Sequence, residues 1–309
     1  MEVLCLGILV ADVVAKPIND MPGRGKLALV DTMELHTGGC ASNTAYGLNR
    51  LGVSTGLMGR VGSDGFGDFV AKYMEDAGID IRGVKRSRSA NTSATMVMVS
   101  SDGERTFFHY LGANAELCYD DVDFSIVRDA KILQISGTFL MPSFDGNPAA
   151  RVLKKARDIG ITTSMDTAWD SRGNWMKVLE PCLEYLDIFM PGLEEAQMIT
   201  GKESPQDIIK SLLPYGIHTI IIKMGEKGSY VRTKDIEEYI PIYKVDTVDA
   251  TGAGDAFVAG FLAGVSQEMD HVRAARLGNA VGACCVTAIG ASAGIRNMEE
   301  TLAFMNSYR

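Results

Sequence analysis

The chain contains no run of about 18 uninterrupted apolar residues, so hydropathy gives no sign of a membrane-crossing helix. It also lacks an excess of positive charge. Thirty Lys and Arg face 39 Asp and Glu, for a formal net charge of −9. A nucleic-acid-binding face is therefore not expected. The four histidines are scattered and show no metal-ligand spacing. The six cysteines (Cys5, Cys40, Cys118, Cys182, Cys284, Cys285) form no Cys-x-x-Cys pair and mostly lie in apolar runs. They read as buried, reduced thiols of a cytoplasmic protein. The first strand-like run, Val3–Val10, is not preceded by a basic flank and small-residue cleavage site, so no secretory leader is expected. No Gly-x-Gly-x-x-Gly follows that run, which disfavours a dinucleotide-dependent dehydrogenase. Internal repeats and low-complexity linkers are missing too.

What is present is a rhythm. With 309 residues and 46% hydrophobic content, the chain can bury one large core or two smaller ones. Strand candidates at Val3–Val10, Ile132–Ser136, Thr162–Asp166, Asp187–Met190 and Thr219–Met224 alternate with helix candidates at 147–159, 193–200 and 205–215. Gly160, Gly201 and Gly216 end those helices. Such alternation predicts βαβ units and a mostly parallel sheet covered by helices. Two segments break the pattern. Residues 12–37 hold Pro17, Pro22, Gly23 and Gly25 and then an alternating run, Leu27–Leu35. Residues 93–110 read as a hairpin around a Ser-Asp-Gly turn at 101–103. Both look antiparallel and predict one small β-sheet, leaving 1–11, 38–92 and 111–309 as the main α/β domain.

The chemistry concentrates in Asp246-Thr-Val-Asp-Ala-Thr-Gly-Ala-Gly-Asp255. Gly252, Ala253 and Gly254 leave the main chain bare, so their N–H groups can close around an anion. The apolar run that follows reads as a buried helix whose start adds unpaired donors and the positive dipole end. Asp255 is then a carboxylate fixed beside an anion hole. That suits phosphoryl transfer, with the carboxylate accepting the proton of an attacking hydroxyl. A glycine-rich turn with an aspartate capping a core helix is the plainer alternative.

A second glycine-rich turn, Thr37-Gly-Gly-Cys-Ala-Ser-Asn43, opens a helical pattern closed by Gly52. Gly59-Arg-Val-Gly62-Ser-Asp64-Gly-Phe-Gly67 follows. Together with Asp249-x-Thr251-Gly252-Ala253-Gly254-Asp255, these segments resemble the two signatures of the ribokinase-like (PfkB) carbohydrate kinases, from Gly7 to about Ala291. The resemblance implies a three-layer α/β fold with a small β lid. It also implies ATP- and Mg2+-dependent phosphorylation of a hydroxymethyl group on a small sugar, with Asp255 as general base. A nucleoside kinase of the same family and a non-catalytic sugar sensor are the alternatives.

The resemblance also implies roles for further residues. Asp12, Gly38, Gly39 and Asn43 match sugar-hydroxyl contacts, and Arg172 a ligand-facing stretch, although a surface arginine is an equal reading. Lys223, Gly225 and Gly228 match a nucleotide edge, with Asn279 on the adenine side. Glu195 would orient Mg2+ through water. Here the sequence departs from the family: Gly192 stands where an Asn is usual. Asp249 and Thr251, with the loop 288–292, fall where relatives hold a monovalent cation such as K+. A homodimer through the lid is expected, because a small sheet has edges and apolar residues to cover.

Overall fold

The computed structural model describes residues 1–308. Its main sheet has nine strands in the order β13-β12-β11-β10-β9-β8-β1-β4-β5. These are β1 (Val3–Gly7), β4 (Thr55–Gly62), β5 (Asp80–Ser87), β8 (Ile132–Thr138), β9 (Thr162–Thr167), β10 (Ile188–Phe189), β11 (Thr219–Lys223), β12 (Ser229–Arg232) and β13 (Glu237–Ile240). All neighbours from β11 to β5 pair in parallel; β12 and β13 add an antiparallel edge.

Strand alternation divides the core in two. Leu4 and Leu6 of β1 and Ile220 and Ile222 of β11 face one cluster, where α3 (Phe124–Arg128), α4 (Asn147–Asp158), α5 (Trp175–Leu183), α6 (Leu193–Thr200) and α7 (Pro205–Leu212) pack. Val3, Cys5 and Ile221 face the other cluster. There lie α1 (Cys40–Arg50), α2 (Gly65–Asp76), α8 (Ala253–Ser266), α9 (His271–Cys285) and α10 (Met298–Ser307). Helix, sheet and helix make three layers. The helix expected over 205–215 ends its α-helical part at Leu212 and continues as one 3₁₀ turn, Leu213–Tyr215, where Pro214 has no N–H to extend the α-helical ladder.

Helices α8 and α9 approach unusually closely. A Cβ at Gly260 would lie 2.8 Å from Val281 Cγ2 and 2.9 Å from the Gly278 Cα, and one at Gly264 2.9 Å from the Ala274 Cα. Glycine at these positions lets the two helices touch along their backbones.

The small sheet has the order β3-β2-β6-β7, from β2 (Val10–Lys16), β3 (Thr32–Gly38), β6 (Ala94–Val99) and β7 (Arg105–Tyr110). Three details differ from expectation. The first apolar run is not one strand: β1 stops at Gly7, and the Asn114 side chain takes over both Leu9 backbone groups, its Oδ1 accepting from the Leu9 N–H and its Nδ2 donating to the Leu9 carbonyl. The central pair of the small sheet, β2 with β6, is parallel because two separate hairpins enter it in the same sense. Finally, of the alternating run Leu27–Leu35 only the part from Thr32 on is strand, continuing to Gly38; Leu27 and Leu29 lie in the preceding loop, 83% and 87% exposed.

Candidate active site

The C-terminal ends of parallel strands gather loops and helix starts on one edge, where open α/β sheets bind ligands. Two cavities lie there. One, of about 240 Å³, is walled by the small sheet through Asp12, Thr95, Phe107 and His109, and floored by Gly39, Asn43, Gly252 and Asp255. The other, of about 640 Å³, is lined by Lys223, Gly225, Gly228, Gly254, Phe257 and Asn279, among others. The start of α8 separates them: Gly252 and Asp255 face the first, Ala253 and Gly254 the second.

Gly252 makes this partition possible. Its φ of +76° is left-handed, and a Cβ there would lie 2.2 Å from the Ala291 carbonyl oxygen. The turn therefore delivers the first N–H groups of α8, which have no partner within the helix, to the junction of the cavities.

Asp255 is largely buried in that first turn, and its Oδ2 accepts a 2.8 Å hydrogen bond from Asn43 Nδ2. Burial raises its pKa, against the Asn43 hydrogen bond, the Lys223 charge and the Cys40 thiol. Asn43 lines the first cavity, and its Oδ1 is buried without a protein partner. Nearby Asp166 closes β9 and accepts from the Gly137 N–H at 3.0 Å. Burial pushes it up to about 7, with Lys223 opposing and the Asp255 charge reinforcing. Lys223, at the end of β11, is the cation of this acidic group; a Cβ at Gly254 would lie 3.4 Å from its Nζ.

Glu195 occupies the first turn of α6, where Oε2 accepts from Thr167 Oγ1 (2.6 Å) and from the Gly192 N–H (2.9 Å). Gly192 has ordinary extended dihedrals, φ −69° and ψ 156°, so the departure from Asn is not forced by a left-handed turn. Asp12 lies on β2 rather than in a loop past the first strand. Its carboxylate packs so closely on Gly38 that a Cβ there would lie 2.1 Å from its Oδ2. Burial raises its pKa, opposed by the Thr95 hydroxyl and His36. Asn279 lines the second cavity, but its Nδ2 donates to the Ile240 and Pro241 carbonyls, both at 3.1 Å.

Two sets of expected residues lie apart from these groups. Arg172 lines neither cavity; it is exposed, in a turn that Asp170 caps by accepting from the Arg172, Asn174 and Trp175 N–H groups. Asp249 and Thr251 do not form a metal donor set. The Asp249 carboxylate accepts from the Thr251 and Gly290 N–H groups (2.9 and 2.6 Å) and pairs with Arg105 Nη2 at 2.6 Å. Arg105 Nη1 donates to Thr251 Oγ1, also at 2.6 Å. Burial opposes the charge on Asp249, but these contacts outweigh it and hold the carboxyl below its usual range. A guanidinium stands where K+ was expected, so these residues do not fit a monovalent metal. Sequence reasoning missed Arg105, Asp166 and Cys40. A faint signal for Arg105 was present: it alternates with Phe107 and His109, placing all three on one face of β7.

Two cavities sharing one helix start, with a buried carboxylate at the partition, are the layout of a two-substrate group-transfer enzyme. The pfkB family carbohydrate kinase profile matches residues 1–298. The 2-dehydro-3-deoxygluconokinase of Bacillus subtilis is 28% identical over 92% of this chain and 91% of its own. Ribokinase of Arabidopsis thaliana, solved with ribose and ATP, superposes with a TM-score of 0.86 at 24% identity, covering 98% of each chain. An Escherichia coli protein described as ribokinase II, solved with ATP and Mg2+, gives 0.83 at 25% identity over 99% of each. The chain belongs to the pfkB family of carbohydrate kinases and has the ribokinase-like fold. It is a sugar kinase, a phosphotransferase with an alcohol group as acceptor. Among the described residues, no helix is long and apolar enough to cross a membrane.

Proposed function

We propose that the protein moves the terminal phosphoryl group of ATP onto a hydroxymethyl group of a monosaccharide or sugar acid bound in the smaller cavity. The placement of Asp255 carries this reading: its carboxylate faces the sugar side, while the main chain of Ala253 and Gly254 faces the nucleotide side. Asp255 takes the proton of the attacking hydroxyl, and Asn43 holds that carboxylate in place. The N–H groups at 252–254 receive the charge of the phosphoryl group in flight. Asp12 and Asn43, which line that cavity, orient the other hydroxyls of the sugar.

ATP and Mg2+ fit the residues of the larger cavity and its rim. Lys223 offers a cation and the 225–228 turn bare main chain; Glu195 lines neither cavity but is joined to the Lys223 strand through Gly192, and would offer the hard oxygen that Mg2+ accepts through water. When bound, the metal neutralises charge on the phosphates.

The size of the sugar cavity favours a monosaccharide over a nucleoside. At about 240 Å³ it falls below the roughly 300–1,000 Å³ usual for larger ligands. A coupled ADP-release screen over pentoses, hexoses, sugar acids and nucleosides tests the proposal. Sugar-dependent ADP formation is expected. ADP formation with nucleosides alone would replace the monosaccharide reading, and none with any acceptor would leave a sugar-binding sensor.

A further inference from the structure

Arg105 is the cation that the transfer chemistry above does not use. It begins β7 in the small sheet, yet its side chain reaches across the sugar cavity to the loop that carries the anion hole. Its two terminal nitrogens hold Asp249 and Thr251, each at 2.6 Å. The pair is well shielded, with side chains 18% and 2% exposed for Arg105 and Asp249. Asp249 in turn accepts from the Gly290 N–H, which ties the 249–252 loop to the 286–292 loop. Residue 251 is followed at once by Gly252 and the start of α8. One guanidinium therefore connects the small sheet, both loops and the helix start bearing Asp255.

We propose that Arg105 is a positioning residue, a latch through which closure of the small sheet over the sugar sets the 249–255 loop for transfer, in the place where a monovalent cation was expected. Withdrawal of the sheet leaves Asp249 a buried carboxylate without its cation, and the loop then pays for that burial by loosening. The linkage is reciprocal. Nucleotide that orders the loop favours the closed sheet, so ATP and sugar bind cooperatively. The inference rests on the phosphotransfer reading, but its central test does not require turnover.

That test is amide hydrogen exchange across residues 246–256 in the unliganded protein. In Arg105→Gln these amides should exchange at least about tenfold faster than in wild type, with Arg105→Lys intermediate, because an ammonium keeps the charge but not the two-pronged geometry. In turnover assays, Arg105→Gln should lower kcat by roughly 10²-fold, the cost of a reacting group misplaced by about 1 Å, while changing the sugar KM only a few-fold. Guanidinium ion should restore part of that kcat in Arg105→Gln and none in wild type. Wild-type activity should be flat when KCl replaces choline chloride. Unchanged exchange in Arg105→Gln overturns the latch, as does a variant that loses only sugar KM, since Arg105 would then be an ordinary substrate ligand. An exchange effect as expected, in a wild-type protein that forms no ADP with any acceptor, would keep the latch and remove the phosphotransfer reading.

Discussion

Replacing Asp255 by Asn tests the proposed chemistry with little disturbance of the fold. An asparagine oxygen can still accept from Asn43 Nδ2, now 2.8 Å from the carboxylate, so no buried donor is orphaned. Lys223 keeps Asp166 and Glu195 as nearby carboxylates. One negative charge leaves a largely shielded acidic cluster, so the midpoint of thermal unfolding should hold or rise. What disappears is the proton acceptor. A general base contributes roughly 10²–10⁴ in rate, about 2.7–5.5 kcal/mol at ~1.36 kcal/mol per decade. The donors at 252–254 remain, so residual transfer should be measurable.

Coupled ADP release at saturating sugar gives kcat, and calorimetry with a non-hydrolysable ATP analogue gives affinity, expected within about threefold of wild type. The pH profile adds an independent check. Burial raises the Asp255 pKa, and the deprotonated form is the base, so wild-type kcat/KM should climb through a limb displaced upward from the ordinary carboxylate range. The variant should lack that limb. Turnover within tenfold of wild type, or an acid limb that persists unchanged, would refute Asp255 as the base.

Glu195→Gln preserves an oxygen for Thr167 and the Gly192 N–H but removes the charge, and should raise the Mg2+ needed for half-maximal activity about tenfold; an unchanged titration would show that the metal is held elsewhere. Gly192→Asn should fold normally, since the backbone is extended and an added Cβ meets only the movable end of Glu195, 3.1 Å away; insoluble protein would contradict this. Asp145 is buried, its Oδ1 is unpartnered, and burial pushes its pKa up to about 7 despite the Met141 and Phe139 N–H groups. Between the unfolded value of about 3.9 and about 7, the native state holds a proton that the unfolded chain releases, so stability falls as pH rises, by up to ~1.4 kcal/mol per unit. Asp145→Asn should flatten that fall and be at least ~1 kcal/mol more stable at pH 8 by urea unfolding; an unaltered pH slope would count against it. On the small sheet, Leu35, Val13, Met96 and Phe108 pair across four strands in one row, and Leu35, Met96 and Phe108 are exposed. A second copy covering that row predicts a dimer by light scattering at micromolar concentration, and a monomer for Met96→Glu; a monomeric wild type would remove the proposal.

How much was legible in the sequence depended on the range of the interaction. The alternation of strands and helices showed because period and punctuation are local: Gly160, Gly201 and Gly216 all adopt the left-handed backbone expected after helices. The anion-hole loop showed because its glycines and Asp255 are adjacent in the chain. The end of β1 did not, since Ile8 and Leu9 are as apolar as the strand itself and only Asn114, more than a hundred residues away, marks where the ladder stops. Leu27 and Leu29 alternate like a strand, but no neighbouring strand pairs with them; the ladder between β2 and β3 begins at Lys16 and Thr32. Arg105 with Asp249, and Lys223 among three carboxylates, are meetings of distant segments, and no local pattern announces them. The turn that holds Arg172 is likewise organised by its neighbour Asp170, which the sequence pattern did not announce.

The contact between α8 and α9 has a consequence for how this molecule can change over evolutionary time. With Gly260 against Gly278 and Gly264 against Ala274, the two helices behave as one welded beam, and Asp255 is its tip. A single methyl group added at 260 has nowhere to go except by prising the beam apart, which tilts the tip. Positions 260 and 264, five and nine residues along α8 from Asp255, are thus constrained by the placement of the tip although they line neither cavity. Apart from Arg105, the small-sheet residues that line the smaller cavity lie outside this helix pair, so a change of acceptor there leaves the beam as it is.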